Sequence, residues 1–265
     1  MITADSHLHS AFSFDCETAP EENIKTALEK GLSRLAFTDH QDWDPKPCRH
    51  DFSVEDYFAV LTKLREKYEK KFAVTIGVEL GLILDQTEAY RKFTAEYPFE
   101  YVIGSVHTIH GMDPYDGDYF NGRSFDEAYR EAFCYTADCL KKKPDIDVLG
   151  HLDYVVRYGD KNNDTGFYAR FSDEIDEILR QIIAQGIGIE VNTAGYRYGL
   201  AQPNPSGEVI SRYRELGGEI VTVGSDAHDA QSLGFGFSEI CEFLSSCGFQ
   251  YYAYFQNRTP VFERI

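Results

Sequence analysis

Six short segments constrain this chain more than any other feature. They are Asp5-Ser6-His7-Leu8-His9, Thr38-Asp39-His40, Val78-Glu79-Leu80, Ser105-Val106-His107, Gly150-His151-Leu152-Asp153 and Gly224-Ser225-Asp226-Ala227-His228. Nearly every one follows an apolar, β-branched run, so imidazoles and carboxylates close successive strands. Six of the eight histidines sit at these ends, and His50 and His110 do not. Strand ends that gather such side chains at one mouth predict an α/β fold with a multinuclear metal site, and such sites hydrolyse bonds.

The intervening sequence alternates strand and helix patterns. Strands are expected at about 2–7, 32–38, 72–80, 101–106, 147–150, 187–192, 219–223 and 249–255. Helices are expected from Pro20 to Gly31, after Ser53, around 86–95, from Ser124 to about Lys143, and around 172–185, 206–216 and 238–246. Thr18-Ala19-Pro20-Glu21 and Ser124-Phe125-Asp126-Glu127 both read as capping boxes. Lys141-Lys142-Lys143-Pro144 suits a helix C-terminus, where cations complement the dipole and proline stops the helix. About seven strand–helix repeats fit a parallel barrel or a doubly wound sheet. Two stretches without clear period, 108–123 and 154–170, are rich in Gly, Asp, Asn and Tyr, as functional loops are.

A chain of 265 residues suits a single α/β domain over 1–265, with no internal repeat or linker. The 26 Lys+Arg against 44 Asp+Glu give a net charge of −18, which argues against broad nucleic-acid or anionic-membrane binding. It leaves room for an anionic substrate, because clustered divalent ions invert the local potential. Cys16, Cys48, Cys134, Cys139, Cys241 and Cys247 form no C-x-x-C pair and read as reduced thiols of a cytoplasmic protein. Met1-Ile2-Thr3-Ala4-Asp5 does not open a signal peptide, and no apolar stretch approaches membrane-spanning length.

His7 and His9 share a strand face and can reach one ion. Neutral imidazole and carboxylate together suit zinc, iron or manganese. Water between two such ions becomes a hydroxide near neutral pH. Glu79 and Asp226 are the natural carboxylates to bridge ions.

The D-x-H-x-H, T-D-H, G-x-E, S-x-H, G-H-x-D and G-S-D-A-H segments, in this order from His7 to His228, resemble the polymerase and histidinol phosphatase (PHP) superfamily. The resemblance implies a distorted seven-stranded (β/α) TIM-like barrel and three divalent metal ions. It implies a first ion on His7, His9, Glu79 and Asp226. A second would sit on Glu79, His107 and His151, and a third on Asp15, His40 and His228. Within the superfamily, a free-standing chain with Arg157 and Arg197 resembles the histidinol-phosphate phosphatases, whose two arginines clamp the phosphate. The physical chemistry agrees, since guanidinium forks pair with phosphate oxygens. The implied activity is hydrolysis of L-histidinol phosphate in histidine biosynthesis by attack of a metal-bridging hydroxide, with a small phosphate monoester as the partner. His228, His40 or a metal-bound water would protonate the leaving alkoxide. Apart from the resemblance, Glu190 and Asn192 end a strand at the same mouth and are placed to shape or hydrogen-bond the substrate pocket, Asp153 is placed to orient His151, and His110 in the 108–123 loop reads either as a substrate neighbour or as an ordinary loop histidine. Asp113, Asp116, Asp118, Tyr115, Tyr119 and Phe120 in that loop suit an amine and an imidazole. The alternatives are a phosphoesterase of another monoester (a nucleotide or phosphotyrosine), a nuclease, and a non-catalytic domain of the same fold.

Overall fold

Parallel strands buried on both faces form the centre of the molecule. The computed structural model describes residues 1–43, 52–160 and 166–265. In chain order the elements are β1 (Ala4–Leu8), α1 (Pro20–Glu29), β2 (Arg34–Phe37), β3 (His40–Gln41), α2 (Val54–Tyr68), β4 (Ala73–Gly81), α3 (Thr87–Glu96) and β5 (Tyr101–Ser105). There follow α4 (Phe125–Lys141), β6 (Val148–Leu149), α5 (Phe167–Arg170), α6 (Ser172–Gln185), β7 (Gly188–Asn192), α7 (Ala194–Arg197), α8 (Gly207–Glu215), β8 (Val221–Gly224), α9 (Phe237–Ser246), β9 (Tyr251–Gln256) and β10 (Thr259–Arg264). Single 3₁₀ turns occupy Pro114–Asp116, Asp118–Phe120, Tyr154–Arg157 and Ala230–Ser232.

All strands join one mostly parallel sheet of ten, ordered β1-β2-β4-β5-β6-β7-β8-β9-β10, with β3 on β4. Seven strands are expected from the resemblance and ten are found. Three account for the difference: β3 is a two-residue segment beside Glu79, and β9 and β10 are a C-terminal hairpin. Among the described residues, ladder pairing does not return from β10 to β1. The chain just past β8 instead meets β1 at one bridge, Leu8 with Ala227. There Asp226 N donates to His7 O (2.7 Å) and His9 N donates to Ala227 O (2.9 Å). Asp226, two residues past the end of β8, has a left-handed φ of +53°.

Helices pack on the sheet through apolar stripes. In α2, Tyr57, Leu61 and Leu64 are buried at helical spacing, whereas Val60 is exposed. Ser53 caps α2 by accepting from Asp56 N, and Ser124 with Glu127 makes a full capping box on α4. The expected box at Thr18 is absent. The N-cap is Ala19, and Pro20 begins the helix with no N–H to satisfy. The β9–β10 hairpin turns at Asn257-Arg258, both left-handed (φ 49° and 62°). It carries Phe255 against Tyr101, with ring centroids 5.0 Å apart, and so packs at the N-terminal ends of the strands. Cys16, Cys134, Cys139, Cys241 and Cys247 are free thiols, while Cys48 and His50 lie outside the described residues. Among the described residues no helix is long and apolar enough to cross a membrane.

Candidate metal centre

The opposite, C-terminal ends of the strands bring nine sequence-selected ligands together. β1 delivers His7 and, one residue beyond its end, His9; β3 sets His40 in register with Glu79 of β4. His107, His151 and Asp226 each lie two residues past β5, β6 and β8, and His228 follows. Glycine makes this approach possible. A Cβ at Gly224 would collide with Glu190 Oε1 and His7 Cβ.

Glu79 is the hub. It is fully buried, and its Oε1 lies 3.2 Å from His107 Nε2 and 2.9 Å from His151 Nε2. Its Oε2 lies 3.2 Å from His7 Nε2, 3.6 Å from His9 Nε2 and 3.0 Å from His40 Nδ1. Asp226 Oδ1 stands 3.7 Å from His7 Nε2 and 3.4 Å from His9 Nε2. Asp15 Oδ2 stands 3.2 Å from His228 Nε2 and 3.6 Å from His40 Nε2.

Four of the imidazoles are oriented from behind. His7 Nδ1 donates to Glu190 Oε1 at 2.6 Å, and His107 Nδ1 donates to Asp42 Oδ1 at 3.1 Å. His9 Nδ1 donates to Ser13 Oγ (3.0 Å), which in turn donates to Asp39 Oδ1 (2.8 Å), and His228 Nδ1 donates to the Asp226 carbonyl (3.1 Å). A ring that donates through Nδ1 turns the lone pair of Nε2 toward the centre. Two such lone-pair nitrogens, Nε2 of His7 and of His9, then face each other at 3.2 Å. Glu79 Oε2 and His40 Nδ1 are buried without a geometrically formed hydrogen bond among the described residues. Acceptors that converge on acceptors require a cation between them, so these residues fit divalent metal ions. Ligand atoms gather in four overlapping groups: His7/His9/Asp226, His7/Glu79/His151, His9/His40/His228 and His40/Asp42/His107.

Electrostatics reinforce the arrangement. Burial alone would raise Glu79, but the positive charge that His7, His107 and His40 carry when protonated outweighs it and holds the carboxyl well below its usual range, the same sign of effect that a cation among neutral rings would exert. Asp226 behaves likewise: burial is outweighed by His7 and Arg157. Asp226 also keeps a left-handed backbone, a strained conformation for a non-glycine residue.

The ligands open onto a cleft of about 370 Å³. Arg157 and Arg197 line it beside Asp113, Tyr115, Tyr154, Tyr158 and Tyr198. Arg197 Nη2 donates to the carbonyls of Ser225 (2.6 Å) and Asp226 (2.7 Å). Glu190 and Asn192 are buried behind the ligands rather than on the cleft wall. Glu190 holds His7 and accepts from His151 N (2.8 Å), and Asn192 accepts from Arg157. His110 stands away from the cleft. Its left-handed turn (φ 51°) points a 58 % exposed side chain toward Glu131 and the Tyr135 ring. Asp153 bonds Asn204 and does not reach His151 Nδ1, which has no partner among the described residues. Asp42 and Asn204 are site residues the sequence reading missed. The signal for Asp42 was its i+2 relation to His40, the same relation that links His7 and His9.

A family model described as PHP domain matches residues 5–194. A probable histidinol-phosphatase of Clostridium acetobutylicum is 32% identical over 259 residues, covering 97% of this chain and 95% of that protein. A histidinol-phosphatase of Lactococcus lactis is 29% identical, covering 97% and 96%. The crystal structure of a Lactococcus lactis histidinol phosphate phosphatase complexed with zinc, L-histidinol and phosphate superposes with a TM-score of 0.88 at 27% identity, covering 98% of each chain. The matched span holds seven of the nine converging ligands, Asp226 and His228 lying beyond it, and by this match the chain belongs to the PHP domain family.

Proposed function

We propose that this protein is a cytoplasmic, metal-dependent phosphatase that hydrolyses L-histidinol phosphate to L-histidinol and inorganic phosphate. In this reading residues 1–265 form one distorted (β/α) barrel. The seven strands β1, β2 and β4 to β8 make its wall, and the Leu8–Ala227 bridge is its seam. Three divalent ions (zinc, iron or manganese) would be held by His7, His9, Glu79 and Asp226, by Glu79, His107 and His151, and by Asp15, His40 and His228. Asp42 is a further carboxylate within reach of the last two groups. Such ions supply Lewis acidity to phosphoryl oxygens and make water nucleophilic at neutral pH.

The chain's own residues do the rest. Arg157 and Arg197 lie on the cleft wall where guanidinium N–H groups can meet the outer phosphate oxygens and the charge that grows on them. His40 and His228 border the same cleft, and a ring that does not give its Nε2 to a metal ion can pass a proton to the leaving alkoxide. Asp113 and the tyrosines of the wall offer an anion and π-faces to a cationic, imidazole-bearing leaving group. Arginine facing an all-imidazole-and-carboxylate cluster is the observation that carries the reading: a cation clamp beside a metal mouth suits a phosphate monoester. The full-length similarity to named histidinol-phosphatases selects the monoester.

The test is phosphate release by manganese- or zinc-reconstituted protein from L-histidinol phosphate, a nucleotide monophosphate, phosphotyrosine and an aryl phosphodiester. The reading expects kcat/KM on the order of 10⁴ M⁻¹s⁻¹ or more for histidinol phosphate and far less for the others. Preference for another of the four would overturn the substrate assignment.

A further inference from the structure

Arg157 is an unusual buried arginine. Only 3% of it is exposed, and each of its three nitrogens has one acceptor. Nη1 donates to Asp226 Oδ2 (2.9 Å), Nε to Asn204 Oδ1 (2.9 Å) and Nη2 to Asn192 Oδ1 (3.0 Å). Its Cζ lies 5.5 Å from the Tyr154 ring centroid and 5.0 Å from that of Tyr198. A guanidinium has five N–H donors, so two remain on a residue that lines the cleft.

Two of its three acceptors are neutral carboxamides. Arg212, on the outer surface, shows the contrast. Its Nε and Nη2 grip Asp176 at 2.9 and 2.8 Å, and its Nη1 meets Glu215 at 3.0 Å. Every acceptor there is a carboxylate, so the charge of Arg212 is spent within the protein. Carboxamide oxygens fix the plane of a guanidinium as firmly but add no countercharge, so Asp226, itself shared with the imidazole cluster, is the one carboxylate hydrogen-bonded to Arg157 among the described residues.

Asn192 and Asn204 act as one unit. Asn192 N donates to Asn204 O (2.7 Å) and Asn204 N donates to Asn192 O (2.8 Å). This bridge closes the loop that carries Arg197. Asn204 Nδ2 donates to Asp153 Oδ1 at 2.6 Å, which fixes the amide so that its oxygen, not its nitrogen, faces Arg157.

We propose that Asn204 is a positioning residue for phosphate: with Asn192 it orients Arg157 through neutral oxygens and so adds no further countercharge to that of Asp226, leaving the guanidinium attractive to the substrate phosphate. The inference rests on the phosphatase reading. It requires that an acceptor of the same shape but carrying a negative charge be worse than the native amide.

The test is a charge exchange. In Asp153→Asn/Asn204→Asp the 153–204 pair still holds one amide and one carboxylate, and net charge is conserved. The negative charge now faces Arg157 Nε. Inorganic phosphate affinity is measured on metal-reconstituted parent, on this double variant and on Asn204→Ala, beside metal content and melting temperature. The expected result is a phosphate Kd raised roughly tenfold or more in the double variant, the weight of one charge-assisted hydrogen bond, with metal content unchanged. Asn204→Ala, which loses orientation without adding charge, is expected to fall between the parent and the double variant. Phosphate binding at the parental level in either variant overturns the proposal, and if the double variant does not fold, Asn204→Ala decides alone. A parent that binds no phosphate overturns the phosphatase reading itself.

Discussion

The two ends of the same strands hold two clusters of charge built on opposite principles. At the N-terminal ends, Arg258 of the hairpin turn pairs with Asp147 (2.6 Å) and Asp145 (3.1 Å), and its N–H donates to the Glu100 carbonyl (2.8 Å). Asp147 also accepts from Val102 N, and Glu100 from Ile76 N and Arg65. Each acid there meets a permanent cation or a backbone N–H. At the C-terminal ends, Glu79 and Asp226 meet imidazoles whose Nε2 lone pairs point inward, and acceptors face acceptors. Arginine cannot give up its proton, so the first cluster can only hold the fold together. Imidazole can, so the second is left open to a metal ion. What separates a structural from a functional charge cluster here is whether its donors and acceptors are balanced.

Substitutions at the two ends should therefore fail in different ways. The largest effect is expected from Glu79→Gln, which removes the hub carboxylate. Metal content should fall, and activity should drop on the order of a thousandfold or more, read by metal analysis and phosphate release. Arg197→Ala should lower kcat/KM by roughly a hundredfold, the scale of one transition-state donor, while leaving metal content at the parental level. Loss of metal in Arg197→Ala would break the distinction between clamp and ligand. Asp42→Asn should weaken metal retention by about 10- to 100-fold, because His107 loses the carboxylate that fixes its tautomer. Competition with a chelator measures it.

Arg258→Ala at the other end should cost about 2 kcal/mol of stability, since a partly buried pair is broken. Metal content and KM should stay as in the parent, and a change in either would couple the two ends. The smallest effect concerns Asp176, which Arg212 lowers to about 2 from an ordinary 3.8. A depressed carboxyl stabilises the fold above its unfolded pKa and loses that contribution as pH falls through the folded value. The melting temperature of the parent should exceed that of Asp176→Asn above about pH 4, and the gap should close toward about pH 2. A gap that persists at the lowest pH would mean the pair acts through packing rather than charge.

The sequence makes the open end far more legible than the closed one. Eight ligands announce themselves by an imidazole or carboxylate at a strand end, the ninth, Asp15, lies in the turn after β1 and is supplied only by the resemblance, and the structure brings all nine together. Helix α6 and the Ser124 capping box are equally plain, because periodicity and capping are local. The closing hairpin is not. Pro260 argues against a strand, yet β10 is an edge strand where a missing N–H is tolerated, and Asn257-Arg258 lacks the glycine that usually marks such a turn. Asn204 was invisible for another reason. Its meaning depends on Arg157, 47 positions away, and a carboxamide in a loop has no periodicity to betray it. His110, by contrast, shows that residue type in a promising loop is a weak guide, since one left-handed turn directs it away from the cleft.

The central claim is that the unbalanced acceptors at the strand C-terminal ends exist to bind metal. The most direct measurement is metal stoichiometry after reconstitution and exhaustive dialysis, for the parent and for Glu79→Gln, each with a parallel fold check. The account predicts three divalent ions per parent chain and a clear loss in the variant with the fold retained. A parent that retains no ion, or a Glu79→Gln protein that retains as many as the parent, would contradict it.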